Sequence, residues 1–208
     1  MFENRKQAGE QLARLLKEQK AEFDLVLGIP RGGVVVAYPI AKEYGCPLDV
    51  VIARKIGSPA DPEYAIGAVT PDGEILVDEN LLIFLRIDKN QLEQSAKSVH
   101  REINRRLEAY RGHKPAPALQ GKRVLLVDDG IATGFTVKAA IAYLRRMGAS
   151  YIAVAAPVAA PDTYRSLKSL ADDVFCIEVP TVFYAVGQFY RDFSPTTDQE
   201  VISLLQES

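Results

Sequence analysis

Residues 128–136 read Asp-Asp-Gly-Ile-Ala-Thr-Gly-Phe-Thr and follow an apolar run, Val124 to Val127. Two adjacent carboxylates end a strand-like segment, and a turn rich in glycine and threonine then opens a helix-like one. The start of a helix offers N–H groups without helical partners at the positive end of its dipole, which suits a phosphate. Gly130 and Gly134 permit close backbone approach, and Thr133 and Thr136 add hydroxyl donors. The carboxylates of Asp128 and Asp129 accept hydrogen bonds from vicinal hydroxyls, and charged acceptors hold these better than neutral ones. Carboxylate and phosphate repel, so a molecule carrying both hydroxyls and a phosphate must join them. A ribose 5-phosphate does so. A lone Asp-Asp-Gly is more simply a helix cap with a turn. The apolar strand before it and the Ala-Thr-Gly-Phe-Thr after it favour the sugar-phosphate reading.

A second segment, Gly28-Ile29-Pro30-Arg31-Gly32-Gly33, closes the first apolar run, Leu25 to Ile29. Its glycine turn exposes N–H groups beside one guanidinium able to grip two oxygens, which is the chemistry of a diphosphate site. Taken alone, it is equally an ordinary turn with an exposed arginine.

These segments need a scaffold. Residues 4–20 carry Ala8, Leu12, Leu15 and Leu16 on one helical face. Strands are predicted at 25–29, 48–53, 123–127, 151–156 and 174–177, and helices at 34–44, 137–147, 161–170 and 197–205. Strands alternating with helices imply βαβ units: an α/β fold with a central, mostly parallel sheet flanked by helices. Ligands then bind outside the carboxyl ends of strands, where strand order switches. Residues 54–65 read as a loop, and 68–77 as a hairpin around Pro71-Asp72-Gly73. Residues 79–118 look like a helical insertion: a short apolar helix at 81–86, then a polar one at 89–111. For that polar helix, Asp88 with Gln91 resembles a capping box, and Glu93–Lys97 and Glu102–Arg106 are favourable pairs. It reads as a solvated or oligomer-packing element. Residues 1–208 thus form one domain, with a small C-terminal hood at about 179–208.

The 124–136 segment closely resembles the diphosphosugar signature of the type I phosphoribosyltransferases, which use 5-phosphoribosyl 1-pyrophosphate (PRPP). The match extends in order over most of 24–178, and leaves 70–118 and the tail unaccounted for. It implies that Asp128 and Asp129 hold the ribose hydroxyls, and that Gly130, Ile131, Ala132, Thr133, Gly134 and Thr136 wrap the 5-phosphate. Pro30, Arg31, Gly32 and Gly33 resemble the family's pyrophosphate loop, with Pro30–Arg31 the candidate for its non-proline cis peptide. Arg54 and Lys55 match the start of a mobile loop that brings cations to the departing pyrophosphate, with Glu63-Tyr64 positioning it; otherwise they are stray surface cations. By the same resemblance a C-terminal hood grips a base, with Glu178 accepting a ring N–H and Phe183, Tyr184, Phe189 or Tyr190 stacking on it. Core and interface packing is the competing account of those aromatics. Gly130 replaces a larger apolar residue of the family, which predicts a looser turn. Ala132 stands where relatives acting on 6-oxopurines have an aspartate, which argues against that substrate pattern.

The resemblance therefore implies transfer of a phosphoribosyl group from PRPP to a nitrogenous base. Mg²⁺ would arrive with PRPP rather than in a dedicated protein cage. Two alternatives stay open on the same scaffold. One is a non-catalytic PRPP-sensing regulator, against which Arg54-Lys55 and the intact Pro-Arg-Gly-Gly turn weigh. The other is a sugar-phosphate or nucleotide hydrolase, which Ala132 deprives of an obvious acid.

Composition fits this picture. With 208 residues, 48% of them hydrophobic, the chain can bury a sizeable core. Its 25 Lys and Arg against 27 Asp and Glu give a formal net charge of −2, which argues against a nucleic-acid partner. No run approaches the ~20 apolar residues of a membrane helix, and the charged N-terminus lacks a signal-peptide core. Cys46 and Cys176 form no disulfide framework or zinc pair and read as small buried residues of a reducing, cytoplasmic compartment. His100 and His113 read as solvated. A homo-oligomer is compatible with all of this.

Overall fold

The computed structural model describes residues 1–58, 61, 64–77 and 79–208. Among them, the β-branched and leucine-rich runs form β1 (Leu25–Gly28), β2 (Leu48–Val50), β6 (Arg123–Val127), β7 (Tyr151–Val158) and β8 (Asp173–Glu178). These pair in parallel, in the order β2-β1-β6-β7-β8. Every residue of β1 is buried, as expected of a strand covered on both faces.

Alternation along the strands sorts the core into two layers. Val26, Leu125, Val127, Ala153 and Ala155 face α1 (Arg5–Glu18) and α2 (Gly32–Tyr44). Leu25, Leu27, Val124, Leu126, Ile152 and Val154 face α5 (Phe135–Arg146) and α6 (Pro161–Leu167). Each fully buried Leu or Val contributes roughly 1.5–3 kcal/mol over its exposed state. α1 begins where the Asn4 side chain accepts the Gln7 N–H at 2.9 Å.

A second, antiparallel sheet joins β3 (Arg54–Gly57), β4 (Ala65–Val69) and β5 (Ile75–Val77). The hairpin expected at 68–77 is present, but residues 54–57, expected as loop, are a strand. The cause is long-range: Ile56 is fully buried, and Lys55 pairs with Ala68 across the ladder. The Pro71–Gly73 turn is held from both sides. Arg146 at the end of α5 bonds Asp72 at 2.9 Å. The His100 ring lies 3.0 Å from the Pro71 carbonyl oxygen, so His100 is a turn contact rather than a solvated side chain.

α3 (Glu79–Phe84) leads to α4 (Lys89–Arg111). Asp88 caps α4 by accepting the Asn90 N–H at 3.2 Å, one residue short of the expected box geometry. The predicted Glu102–Arg106 pair forms at 2.7 Å. α4 is not merely solvated: Leu92, Ala96, Ile103 and Tyr110 are buried. Tyr110 donates to Asp198 at the start of α7 (Asp198–Gln206) at 2.7 Å. The segment before α7 contains a single 3-10 turn, Val186–Phe189. It is tied to the N-terminal segment by a Phe2–Tyr190 bridge and by the Phe2 N–H donating to the Phe189 carbonyl at 2.7 Å. Cys46 and Cys176 are half-buried rather than buried. Among the described residues, no helix is long and apolar enough to cross a membrane.

Candidate functional site

β1 and β6 are parallel neighbours, so the loops at their carboxyl ends emerge side by side; the Ile29 N–H donates to the Val127 carbonyl at 2.8 Å. Strand order also switches here, since the chain passes from β1 out to β2 and later returns to β6 on the other side of β1. The two glycine-bearing loops meet in direct contact. A Cβ at Gly32 would lie 2.6 Å from both Asp129 Cγ and Arg5 Nε, and one at Gly33 would lie 2.7 Å from the Val127 carbonyl oxygen and 3.0 Å from Asp128 Cα. Only glycine lets the 28–33 turn approach the doublet this closely. The Pro30–Arg31 peptide bond is cis, as the resemblance implied. Arg31 is exposed, and its Nη1 lies 3.7 Å from Asp198 Oδ1.

The acidic doublet is asymmetric. Asp128 Oδ1 accepts the Asp129 N–H at 2.9 Å. Burial, and then the neighbouring Asp129 charge, push the Asp128 carboxyl well above the ordinary carboxylate range. Asp129 has a cationic partner: its Oδ2 accepts from Arg5 Nε at 2.7 Å, with the two side chains only 17% and 12% exposed. The Asp129 carbonyl also accepts the Tyr190 hydroxyl at 2.5 Å.

Beyond the doublet, Gly130 does not loosen the turn. The room a larger residue would occupy is taken by Val186 from the 3-10 turn, whose Cγ2 lies 2.9 Å from where a Cβ would stand. Ile131 is buried and bonded to Val158, while Ala132 and Thr133 are exposed at the mouth of α5. The Ala132 carbonyl accepts from Thr163 Oγ1 at 2.6 Å. Gly134 caps α5 at φ +72°, a conformation that glycine adopts at no steric cost. Thr136 is half-buried in the first turn of that helix.

Strand alternation separates the two basic residues. Lys55 is exposed, with Nζ 5.9 Å from the centre of the Phe135 ring, directly after the Gly134 cap. Arg54 points to α4, its Nη1 3.5 Å from Glu102 Oε1. Hydrogen bonds from Arg105 and Arg106 hold the Glu102 carboxyl down to about 2. Packing of Ala53 and Ala68 on Ala139 of α5 brings the small sheet to this position. Glu63 lies outside the described residues.

The C-terminal candidates do not converge. Glu178 Oε1 lies 3.2 Å from the Met1 amino group. Phe183 packs on Phe189 with ring centres 5.5 Å apart. Tyr184 is 86% exposed. Phe189 and Tyr190, the other expected stacking aromatics, are buried in packing rather than open to a base, and Tyr190 binds the doublet instead. Conversely, Arg5 and Phe193 at the doublet were not expected from the sequence. Arg5 appeared only as a polar residue of an amphipathic helix, and no local pattern announces a partner more than a hundred residues away.

Comparison with known proteins identifies the family of this chain. A family model described as a phosphoribosyl transferase domain matches residues 2–194. A provisionally named phosphoribosyl transferase of Mycobacterium tuberculosis is 38% identical over 208 residues, 100% of this chain and 47% of that protein. The chain thus spans about half the length of the curated relatives it matches end to end. An adenine phosphoribosyltransferase of Bordetella avium is 42% identical over 69 residues, 33% of this chain and 34% of that one. The crystal structure of TT1426 from Thermus thermophilus superposes with a TM-score of 0.85 at 41% identity, covering 100% of this chain and 98% of that chain. A parallel sheet whose β1 and β6 loops meet as a glycine turn and an acidic doublet, within a domain match spanning nearly the whole chain, places this protein in the type I phosphoribosyltransferase family.

Proposed function

We propose that this protein transfers the 5-phosphoribosyl group of PRPP to a nitrogenous base and releases pyrophosphate. The observation that carries this reading is the contact of Gly32 and Gly33 with Asp129 and Asp128. A diphosphate-type turn adjoining a ribose-type doublet supports a single substrate that carries both groups.

In this reading Asp128 and Asp129 orient the ribose hydroxyls, and residues 130–136 hold the 5-phosphate at the α5 N-terminus. Pro30, Arg31, Gly32 and Gly33 hold the pyrophosphate. An acceptor nitrogen forms a bond to C1 while the bond from C1 to the pyrophosphate oxygen breaks and its electron pair leaves with pyrophosphate. Positive charge grows on the ribose and negative charge on the leaving group. The carboxylates stabilise the first, and Lys55, supported by Arg54, stabilises the second.

The family implies a magnesium ion. The hard oxygen donors at the site are the Asp128 and Asp129 carboxylates. This set fits an ion that keeps its waters and substrate phosphates and takes one or two carboxylates. When bound, it would neutralise pyrophosphate charge. We also take residues 1–208 as one domain with an insertion at 79–118 and a hood at 179–208. Glu178, Phe183 and Tyr184 remain the acceptor candidates, with Tyr184 the most accessible of them.

The test is a panel of nitrogenous bases offered with PRPP and Mg²⁺, reading pyrophosphate release. Release that depends on one base supports the transferase. Tight PRPP binding without base-dependent release overturns it in favour of a PRPP sensor.

A further inference from the structure

Arg5 stands at a junction of three parts of the site. Its Nε donates to Asp129 Oδ2 at 2.7 Å, and its Nη1 donates to the Ser194 carbonyl at 2.8 Å. Its guanidinium carbon lies 3.8 Å above the Phe193 ring. Both Arg5 Nε and Asp129 press against Gly32, where no Cβ could fit. One guanidinium thus touches the acidic doublet, the glycine turn and the C-terminal segment at once. Tyr190 binds the Asp129 backbone from the same C-terminal segment, and its ring lies 5.0 Å from that of Phe193.

Two adjacent carboxylates repel, and an unpaired one would turn toward solvent. A buried guanidinium, itself held by the Ser194 carbonyl and the Phe193 ring, removes that freedom by anchoring Oδ2 with one charge-assisted hydrogen bond. Only Oδ2 is taken by Arg5, which leaves Oδ1 to accept a hydroxyl.

We propose that Arg5 is a positioning residue that orients Asp129 for the ribose hydroxyls. Phe193 and Ser194 hold Arg5 in turn, so the terminal segments are part of ribose recognition. This rests on the reading of the doublet as the ribose site. Arg5 touches no substrate in this account; it acts through Asp129.

The test compares binding of ribose 5-phosphate and 2-deoxyribose 5-phosphate by calorimetry, on the full chain, at a temperature where circular dichroism shows each variant folded. Wild type is expected to prefer the ribose form about tenfold, the order of one charge-assisted hydrogen bond. Arg5→Met keeps the stem on Phe193 but removes the charge, and should bring that ratio to about two or below. Arg5→Lys restores the charge without the fork and should give an intermediate ratio. Inorganic pyrophosphate, which lacks ribose, should bind wild type and Arg5→Met alike. If Arg5→Met does not fold, Phe193→Leu decides, with an expected two- to fivefold fall in the ratio. A full tenfold preference in folded Arg5→Met, or in Phe193→Leu when that variant decides, overturns the proposal alone. So does tighter ribose 5-phosphate binding on loss of the guanidinium, which would make Arg5 an occluding group. Wild type with no preference for the ribose form overturns the ribose reading itself.

Discussion

Val186 fills the space that a side chain at Gly130 would need: its Cγ2 would lie 2.9 Å from a Cβ placed there. The C-terminal 3-10 turn and the phosphate turn are therefore packed as one unit. Gly130→Ala should destabilise the fold by about 1–3 kcal/mol, the cost of forcing extra volume into a packed site. Val186→Ala frees that volume, so the double variant should recover more than about 0.5 kcal/mol of the sum of the single losses. Urea unfolding of the four proteins measures this; additive losses would mean the two residues are not in contact.

Asp128 should be held at a cost in stability. Its carboxyl sits above its ordinary value because of burial and the Asp129 charge. A carboxyl raised in the folded state binds its proton more tightly there than in the unfolded chain. Stability is therefore favoured below the unfolded value of about 3.9 and lost as pH rises through the raised folded value. Asp128→Asn removes this loss, so its melting temperature should exceed that of wild type more at pH 8 than at pH 5. The same variant should lose PRPP binding, and the double variant Asp128→Ala, Asp129→Ala should give no titration heat with PRPP. Heats unchanged from wild type would contradict the assignment.

The two cations of β3 should differ in effect. Lys55 faces the α5 N-terminus beside Phe135, whereas Arg54 is engaged with Glu102. Lys55→Ala should lower kcat by about 100-fold, the scale of one lost transition-state donor, and change KM for PRPP by no more than about twofold. Arg54→Ala should have the smaller effect on kcat. Steady-state kinetics decide; a Lys55→Ala defect confined to KM would move the residue to ground-state binding.

Aromatics of the C-terminal segment should separate into packing and recognition. Phe183 stacks on Phe189, while Tyr184 is 86% exposed. Phe183→Ala should cost about 1–3 kcal/mol, below the loss for a fully buried phenylalanine. Tyr184→Ala should shift stability by less than about 0.5 kcal/mol and raise KM for the acceptor. An unaltered acceptor KM would remove Tyr184 from base recognition.

The parallel sheet, its flanking helices and the two glycine-bearing loops were legible in the sequence because their causes are local. Solid apolar runs such as Leu25–Gly28 and Val124–Val127 mark buried strands, and glycine beside Pro30 or Asp129 marks where they must end. Other features had no local cause. Arg54–Gly57 became a strand through pairing with Ala65–Val69, and α4 buried one face against the small sheet and α7. Arg5 met Asp129 across 124 residues because α1 and the strand before the doublet pack in one layer. The order of residues set which groups were available for chemistry. Which of them share a charge, a void or a hydrogen bond depended on distances between elements remote in the chain, and only packing in three dimensions fixes those.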